Sequence, residues 1–188
     1  MPLNVLLLGP QGAGKGTQAK RISAEYGIPH IASGEILRAE MDAGTELGKR
    51  VKETIERGDL VSDDLMIELI RNRLEQPDTE AGFVLDGFPR TIVQAEALDS
   101  MFADIGRNFS VAFALQIPDE VAFDRLRRRA RADDTDEAIQ RRLDNYHRET
   151  EPLIEFYRTR GNVVPIHANR SENEVFAEIS RALEQVPA

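Results

Sequence analysis

Short apolar runs separated by longer amphipathic stretches dominate the pattern along the chain. Val5–Leu8, Phe83–Leu85 and Val111–Ile117 are largely apolar, which is typical of strands buried on both faces of a parallel sheet. Two weaker runs, Pro29–Ala32 and Asn162–Ile166, each closely follow a glycine. The pattern therefore predicts five parallel strands.

Helical patterns alternate with these runs and end at glycines or begin after polar capping residues. This alternation predicts an α/β domain, a doubly wound five-stranded parallel sheet flanked by helices. The predicted helices are Gly14–Tyr26, Thr91–Ile105, Asp119–Ala130, one long helix from a capping box at Asp134–Glu137 towards Arg160, and a last helix opened by the capping box Ser171–Glu174.

Two regions depart from plain alternation. Residues 33–75 show helical patterns and no strand, which predicts a helical insertion between the second and third strands. Residues 130–136 form a short polar break between two helices. Long excursions from a compact domain are more often functional than idle.

The composition is that of one soluble globular domain. The chain has 188 residues, 41% of them hydrophobic and 30% charged, which suits a single domain. We find no apolar run approaching the roughly 18–20 residues that cross a bilayer and no basic region at the start, so we expect a cytoplasmic protein without membrane contact. The absence of cysteine excludes thiolate metal sites.

The net charge of −9 argues against nucleic-acid binding. Arginine accounts for 20 of the 24 basic residues, and five arginines lie between Arg125 and Arg131. Arg125 and Arg129 share one helix face. The planar guanidinium of arginine binds two phosphate oxygens at once, which the ammonium of lysine does less well. The cluster is thus either a solvated basic face or part of a phosphate site.

The stretch GPQGAGKGTQ, residues 9–18, resembles a phosphate-binding loop. It follows the first predicted strand and precedes a helix, which is the context that this motif requires. Its glycines let backbone N–H groups approach phosphate oxygens, and Lys15 adds a point charge. The motif therefore predicts binding of a nucleoside triphosphate.

One position of this loop is unusual. The standard motif has Ser or Thr directly after the lysine, with its hydroxyl on Mg²⁺, but here Gly16 intervenes and Thr17 follows. We expect Asp86, at the end of a buried strand, to hold Mg²⁺ through water, because Mg²⁺ keeps several waters and needs few carboxylates. The alternative for Asp86 is a turn aspartate before Gly87.

Together, GPQGAGKGTQ and FVLDGFPRTIVQA (83–95) resemble the adenylate kinases among the nucleoside monophosphate kinases. IASGEILR (31–38), GDLVSDDL (58–65) and RRLDNYHRETEPLIEFY (141–157) extend the resemblance over nearly the whole chain. It implies the reaction MgATP + AMP ⇌ 2 ADP, with ATP, AMP and ADP as partners, in a monomer. It also implies one P-loop kinase domain over residues 1–188, an AMP-binding insertion at 32–61 and a short lid at 129–135.

The resemblance also implies roles for individual residues. The catalytic set is Lys15, Asp86, Arg90, Arg129, Arg131 and Arg142, with Asp86 as the metal residue. The ATP-binding set is Gly12, Ala13, Gly14, Lys15, Gly16, Thr17, Arg125, Arg129 and Arg170. The AMP-binding set is Ser33, Arg38, Asp59, Leu60, Val61, Gly87, Phe88, Pro89, Arg90, Gln94, Arg131 and Arg142.

Phosphoryl transfer needs positioning and charge stabilisation more than acid–base groups, so we expect no protein general base. Only Ala130 separates Arg129 from Arg131, where long-lid relatives insert a segment that in some carries zinc ligands. We therefore expect a short lid and no zinc. His30, His147 and His167 are scattered in sequence, and we interpret them as structural or surface residues.

Three alternatives stay open. A UMP or CMP kinase would share the loop and the DGFPR segment, although Thr91 and Gln94 favour AMP. A GTP-driven switch would need a guanine-reading Asn-Lys-x-Asp segment, and no asparagine here precedes lysine. A nucleic-acid binder would use the arginine run, but net charge and the lack of tryptophan disfavour it.

Overall fold

The computed structural model describes residues 2–161 and 163–186. It contains the strands β1 Leu3–Leu8, β2 His30–Ala32, β3 Gly82–Asp86, β4 Val111–Gln116 and β5 Val163–His167. These five strands form one parallel sheet in the order β2-β3-β1-β4-β5, which confirms the predicted fold class. Asn162, which we assigned to the last strand, lies outside the described residues.

Helices cover both faces of the sheet because the buried strands are apolar on both sides. Along β1, Leu6 and Leu8 pack into one core cluster, whereas Val5 and Leu7 pack into the other. The helices are α1 Lys15–Tyr26, α2 Ser33–Asp42, α3 Glu46–Arg57, α4 Asp63–Leu74, α5 Ile92–Asp104, α6 Asp119–Arg129, α7 Asp136–Asn145, α8 Pro152–Arg158 and α9 Glu172–Leu183.

The region between β2 and β3 is helical, as predicted, and contains α2, α3 and α4. Thr45 caps α3 by accepting the Gly48 N–H at 3.0 Å. At its other end, α3 reaches Gly58, whose φ is 81° and where a Cβ would lie 2.5 Å from the Ala138 carbonyl oxygen. Gly58 thus lets the end of α3 lie directly against α7.

The prediction of one long helix towards Arg160 is wrong. The chain forms α7, then a π-helical turn over Tyr146–Thr150, and then α8. Pro152 has no N–H for the carbonyl of Arg148, and its ring crowds that carbonyl, which breaks regular α-helical bonding. The widened turn closes instead through the Glu151 N–H, which donates to the Tyr146 carbonyl at 2.8 Å.

Of the two capping boxes predicted from sequence, one is present in the structure and the other is not. The box at Ser171 and Glu174 is present, with both reciprocal bonds. The box that we placed at Asp134 is wrong: Thr135 caps α7 and accepts the Ala138 N–H at 3.2 Å. Asp134 cannot serve as the cap because its carboxylate accepts hydrogen bonds from arginines.

Strands β2 and β3 lie on one side of β1 in the sheet, and strands β4 and β5 lie on the other side. Ligands in such sheets bind at the carboxyl ends of the strands, where the winding direction changes. The loop after β1 lies at this switch point. Within the described residues, no helix has the length and apolar character to span a bilayer.

Candidate active site

The loop between β1 and α1 takes the conformation that a phosphate-binding loop needs. Gly12 and Gly14 have φ values of 86° and 90°, in the left-handed region that favours glycine. A Cβ on Gly12 would lie 2.7 Å from the Ala122 carbonyl oxygen of α6. The close packing of α6 against the loop therefore excludes any side chain at position 12.

Lys15 is held at the centre of this loop. Its Nζ donates to the carbonyl oxygens of Gly9 at 2.8 Å and Pro10 at 2.9 Å. Burial lowers the pKa of Lys15 to about 8; Arg90 and Arg129 act in the same direction, and Asp86 opposes them. At neutral pH the ammonium is still mainly protonated and can act as a fixed cation.

Asp86 ends β3 beside this loop. A Cβ on Gly16 would lie 3.6 Å from Asp86 Oδ2, so the unusual glycine faces the carboxylate proposed to replace the missing hydroxyl. Burial opposes ionisation of Asp86, but His30, Lys15 and Arg90 together hold its pKa below the usual value. His30, interpreted from sequence as structural or surface, lies with Nε2 3.5 Å from Asp86 Oδ2.

An ionised oxygen donor at the edge of the crevice fits Mg²⁺, which prefers carboxylate and water oxygens. Asp86 supplies that donor, with its side chain 14% exposed. No cluster of three or more histidine or acidic residues suited to a metal occurs over residues 2–161 and 163–186. The donor set therefore fits an ion that is bound mainly by waters and by a ligand's phosphates.

Arg90 is fixed by bonds from three directions. Its side-chain Nε donates to the Gly87 carbonyl, and its backbone N–H donates to Gln94 Oε1. Its backbone carbonyl accepts the Thr150 hydroxyl, and each of the three distances is 2.8 Å. Arg90 lines three adjoining cavities at the carboxyl ends of the strands. Its position is thus the meeting point of the site.

Acidic residues hold the other arginines. Arg142, 7% exposed, pairs with Asp133 and, at 2.8 Å, with Asp134. Arg129 forms a two-pronged pair with Asp134 at 2.8 and 2.6 Å, and the Arg131 N–H donates to the same carboxylate at 3.1 Å. Although burial opposes ionisation of Asp134, Arg129 and Arg142 hold its pKa below the usual value.

Two of the three cavities lined by Arg90 are named here, and the third lies next to both of them. The first, here called the loop crevice, adjoins the phosphate loop and also contains Asp86, Arg125 and Arg129. The second, here called the helical pocket, lies among the helices between β2 and β3. Its lining includes Ser33, Arg38, Asp59, Leu60, Val61, Arg90, Gln94 and Arg142.

The structure brings nearly all the predicted site residues to these cavities or to adjoining ones. Gly12, Gly14, Gly16, Thr17, Gly87 and Arg131 line the loop crevice, Ala13 and Arg170 line its extension towards α9, and Pro89 lines the space between the two cavities. Phe88 is the exception: it is 1% exposed and packs in the hydrophobic core. Its side chain anchors the segment Gly87–Arg90 to the hydrophobic core and does not face the cavities.

Sequence reasoning missed three residues that line the space between the two cavities, namely Asn145, Tyr146 and Thr150. Asn145 Nδ2 donates to the Gly58 carbonyl at 3.2 Å, and burial raises the pKa of Tyr146 to about 12. All three belong to the quoted segment 141–157. Their orientation depends on the π-helical turn, which a regular helical pattern does not reveal.

The phosphate loop lies at the switch point of a parallel sheet, beside several arginines and one carboxylate. This arrangement is that of a P-loop phosphotransferase. Residues 7–162 match the profile of the family described as Adenylate kinase. The chain belongs to the adenylate kinase family, which transfers phosphoryl groups between nucleotides. The prediction of a nucleoside monophosphate kinase is thereby confirmed.

Individual relatives agree over nearly the full length. The adenylate kinase of Phocaeicola vulgatus is 43% identical, with 98% of this chain and 100% of that protein covered. That of Stenotrophomonas maltophilia is 42% identical, with 96% and 99% covered. That of Methanosarcina barkeri is 40% identical over 213 aligned positions, with 97% and 99% covered; this exceeds the length of the present chain, so that relative contains segments absent here.

Proposed function

We propose that this protein catalyses the reversible transfer of a phosphoryl group from MgATP to AMP, giving two ADP. The observation that carries the proposal is the position of Arg90, which lines both the loop crevice and the helical pocket. Two sites that share arginines, Arg90 and also Arg38, suit a reaction between two nucleotides. Each site also contains most of the residues that the family resemblance assigns to it, although Gly87 and Arg131, assigned to AMP, line the loop crevice instead.

The loop crevice suits ATP. The glycine-rich loop and the start of α1 provide N–H groups for phosphates, and Lys15 provides a cation. Arg125 lies across the crevice, where it donates to the Gly12 carbonyl at 3.3 Å and the Ala168 carbonyl at 3.2 Å. Arg125 and Arg170 line the extension of the crevice, where we place the adenine.

The helical pocket suits AMP. Arg38 provides a fork for the 5′-phosphate, close to Ser33 and to Arg90. Leu60 and Val61 provide an apolar wall, and Gln94 provides an amide that can bind a base edge. We place the AMP phosphate towards Arg90 and the base towards Gln94.

The chemistry that we propose is charge stabilisation. Two nucleotides bring many negative charges together, and Lys15, Arg90, Arg129, Arg131 and Arg142 offset this repulsion as charge spreads over the equatorial oxygens. The acceptor is already a phosphate anion near neutral pH, so no side chain has to remove a proton. The chain's task is to bind both phosphates in line and exclude water.

Magnesium, when bound with ATP, would supply positive charge that offsets the charge of the phosphates. Asp86 would hold it through water, with His30 beside the carboxylate. The proposal requires no zinc.

We further propose that residues 32–61 form the part that closes over AMP and that residues 129–135 form a short lid over ATP. The segment between α6 and α7 contains Ala130 with φ 51°, a left-handed conformation that turns the chain sharply. Only Ala130 separates Arg129 from Arg131, so this segment has room for a short lid only. Closure would exclude water from the transfer.

Phosphorus NMR tests the reaction. With MgATP and AMP we expect two ADP for each AMP consumed, and the same equilibrium from ADP alone. A UMP or CMP kinase is the alternative, and the same assay with UMP and CMP decides it. Preference for a pyrimidine monophosphate over AMP would overturn the choice of acceptor.

Arg90→Lys is expected to lower kcat/KM for AMP roughly 30- to 150-fold. This corresponds to a loss of about 2–3 kcal/mol in transition-state stabilisation, which is close to the effect of losing one oxyanion donor. Lysine keeps the charge but loses the planar fork and the bond to the Gly87 carbonyl. Steady-state kinetics measure the effect, with the exposed Arg128→Lys as control. A change below about threefold would contradict this role, since a hydrogen bond to a charged group contributes about 1.5–3 kcal/mol.

A further inference from the structure

The carboxamide of Gln94 is held by two groups of opposite hydrogen-bonding character. Its Nε2 donates to Asp63 Oδ1 at 2.8 Å, and its Oε1 accepts the Arg90 N–H at 2.8 Å. Gln94 is 1% exposed and lines the helical pocket. Asp63 lies in the first turn of α4 and does not line that pocket, but its carboxylate contacts the pocket residue Gln94 directly.

These contacts fix which way round the amide lies. A carboxylate only accepts hydrogen bonds, and a backbone N–H only donates them. Reversing the amide would place its oxygen against the Asp63 carboxylate and its NH₂ group against the Arg90 N–H. Both contacts would then be repulsive, and buried groups would lose their partners. The order of donor and acceptor on Gln94 is therefore set by the protein.

A primary amide has two N–H donors and two acceptor positions on its oxygen. The bonds to Asp63 and Arg90 use one of each, which leaves one donor and one acceptor side by side. This pair matches a 6-aminopurine, whose amino group donates and whose neighbouring ring nitrogen accepts. A 6-oxopurine has the reverse order, a carbonyl acceptor beside a ring N–H, and would need the amide to turn over.

We propose that Asp63 is a specificity-determining positioning residue, which holds the Gln94 amide in the orientation that selects a 6-aminopurine monophosphate over a 6-oxopurine monophosphate. The inference rests on the proposed function, because it takes the helical pocket as the acceptor site. Asp63 also accepts the Thr91 hydroxyl at 2.8 Å on the same oxygen. That bond ties the start of α4 to the N-terminal cap of α5, and thus holds the carboxylate itself in place.

The experiment measures kcat and KM for AMP and for inosine monophosphate, with MgATP as donor, in the wild type and in Asp63→Asn. The asparagine side chain both donates and accepts, so its contact with Gln94 no longer favours one orientation, and only the Arg90 backbone N–H still does. We expect the ratio of kcat/KM for AMP to that for inosine monophosphate to fall at least tenfold. KM for AMP should rise about fivefold or more, with kcat changed less than threefold, because a ground-state base contact is affected.

Asp64→Asn is the matched control. Asp64 is the exposed neighbour in the same helical turn, so its replacement makes the same change in charge and in the field of the helix. The control should keep the selectivity ratio within twofold of the wild type. Asp63→Ser repeats the test with a smaller side chain that also donates and accepts, so one poorly folded variant does not decide the outcome.

The proposal would be overturned by an unchanged ratio in Asp63→Asn and Asp63→Ser, or by an equal change in Asp64→Asn. Loss of folding in both Asp63 variants would assign the residue a structural role and overturn it in the same way. A wild-type protein that transfers no phosphoryl group to AMP would instead sink the proposed function. The two failures are therefore distinguishable.

Discussion

Lys15→Met is expected to lower kcat/KM for MgATP about 10³-fold, the upper end for removal of one preorganised oxyanion partner. Methionine keeps the length and much of the volume of lysine but removes the positive charge. That charge lies at the centre of the phosphate loop, bonded to the carbonyls of Gly9 and Pro10. The effect should fall mainly on kcat, because the charge on the phosphates is redistributed in the transition state.

Steady-state kinetics with MgATP varied at saturating AMP measure this effect. Lys52→Met is the matched control, because Lys52 is exposed on α3, where it pairs only loosely with Glu56 at 3.9 Å. The control should retain wild-type activity within about twofold, since exposed pairs contribute little. A decrease below about tenfold in Lys15→Met would contradict the role assigned to this lysine, because it is less than a single lost oxyanion donor.

Asp134→Asn is expected to lower the free energy of unfolding by about 3 kcal/mol, since it breaks a buried ion pair on one side. The side chain of Asp134 is fully buried and accepts bonds from Arg129, Arg131 and Arg142. Asparagine leaves Arg129 with a neutral partner, whereas Arg142 keeps the carboxylate of Asp133. Urea unfolding measures the loss, and Asp144→Asn, which replaces an exposed carboxylate on α7, should change stability by less than about 0.5 kcal/mol.

The ion pairs of Asp134 with Arg129 and Arg142 also predict that the free energy of unfolding depends on pH. The folded protein holds the pKa of Asp134 below its usual value, so its stabilising effect is complete above the unfolded pKa of about 3.9. It is lost as pH falls through the folded pKa. The stability gap between wild type and Asp134→Asn should therefore be constant near neutrality and narrow below about pH 4. A gap that is unchanged in acid would show that the charge of Asp134 is not responsible.

Features encoded by neighbouring residues were predictable from sequence. The apolar strands, the glycine-rich loop and the capping box at Ser171 each lie within a few residues, and the structure confirms them. The closeness of Gly16 to Asp86 was also accessible, because the loop and helix start that follow β1 meet the end of β3 at the same edge of a parallel sheet. The facing positions of these residues follow from topology and need no knowledge of side-chain packing.

Features that depend on contacts between distant segments were not predictable. The break at Tyr146–Thr150 follows from Pro152, but its π-helical form needs the tertiary support of the surrounding helices. Asp134 resembled a helix cap because Thr, Asp and Asn at helix starts look alike in sequence. Its pairing with Arg129 and Arg142 becomes visible only when α6 and α7 are folded together.

The link between Asp63 and Gln94 is the clearest case. The two residues are 31 positions apart in the chain, and an aspartate in the first turn of a helix is fully explained by the helix dipole. The sequence marked Gln94 as a site residue but gave no reason to connect it with Asp63. The connection required the packing of α4 against α5.

The central claim is that the loop crevice and the helical pocket together transfer a phosphoryl group between two nucleotides. The most direct measurement incubates γ-³²P-labelled ATP and Mg²⁺ with unlabelled AMP and follows the label by chromatography. The account predicts that the label appears in ADP, at a rate that depends on AMP, with little free phosphate. Release of the label as inorganic phosphate at a rate independent of AMP would contradict it.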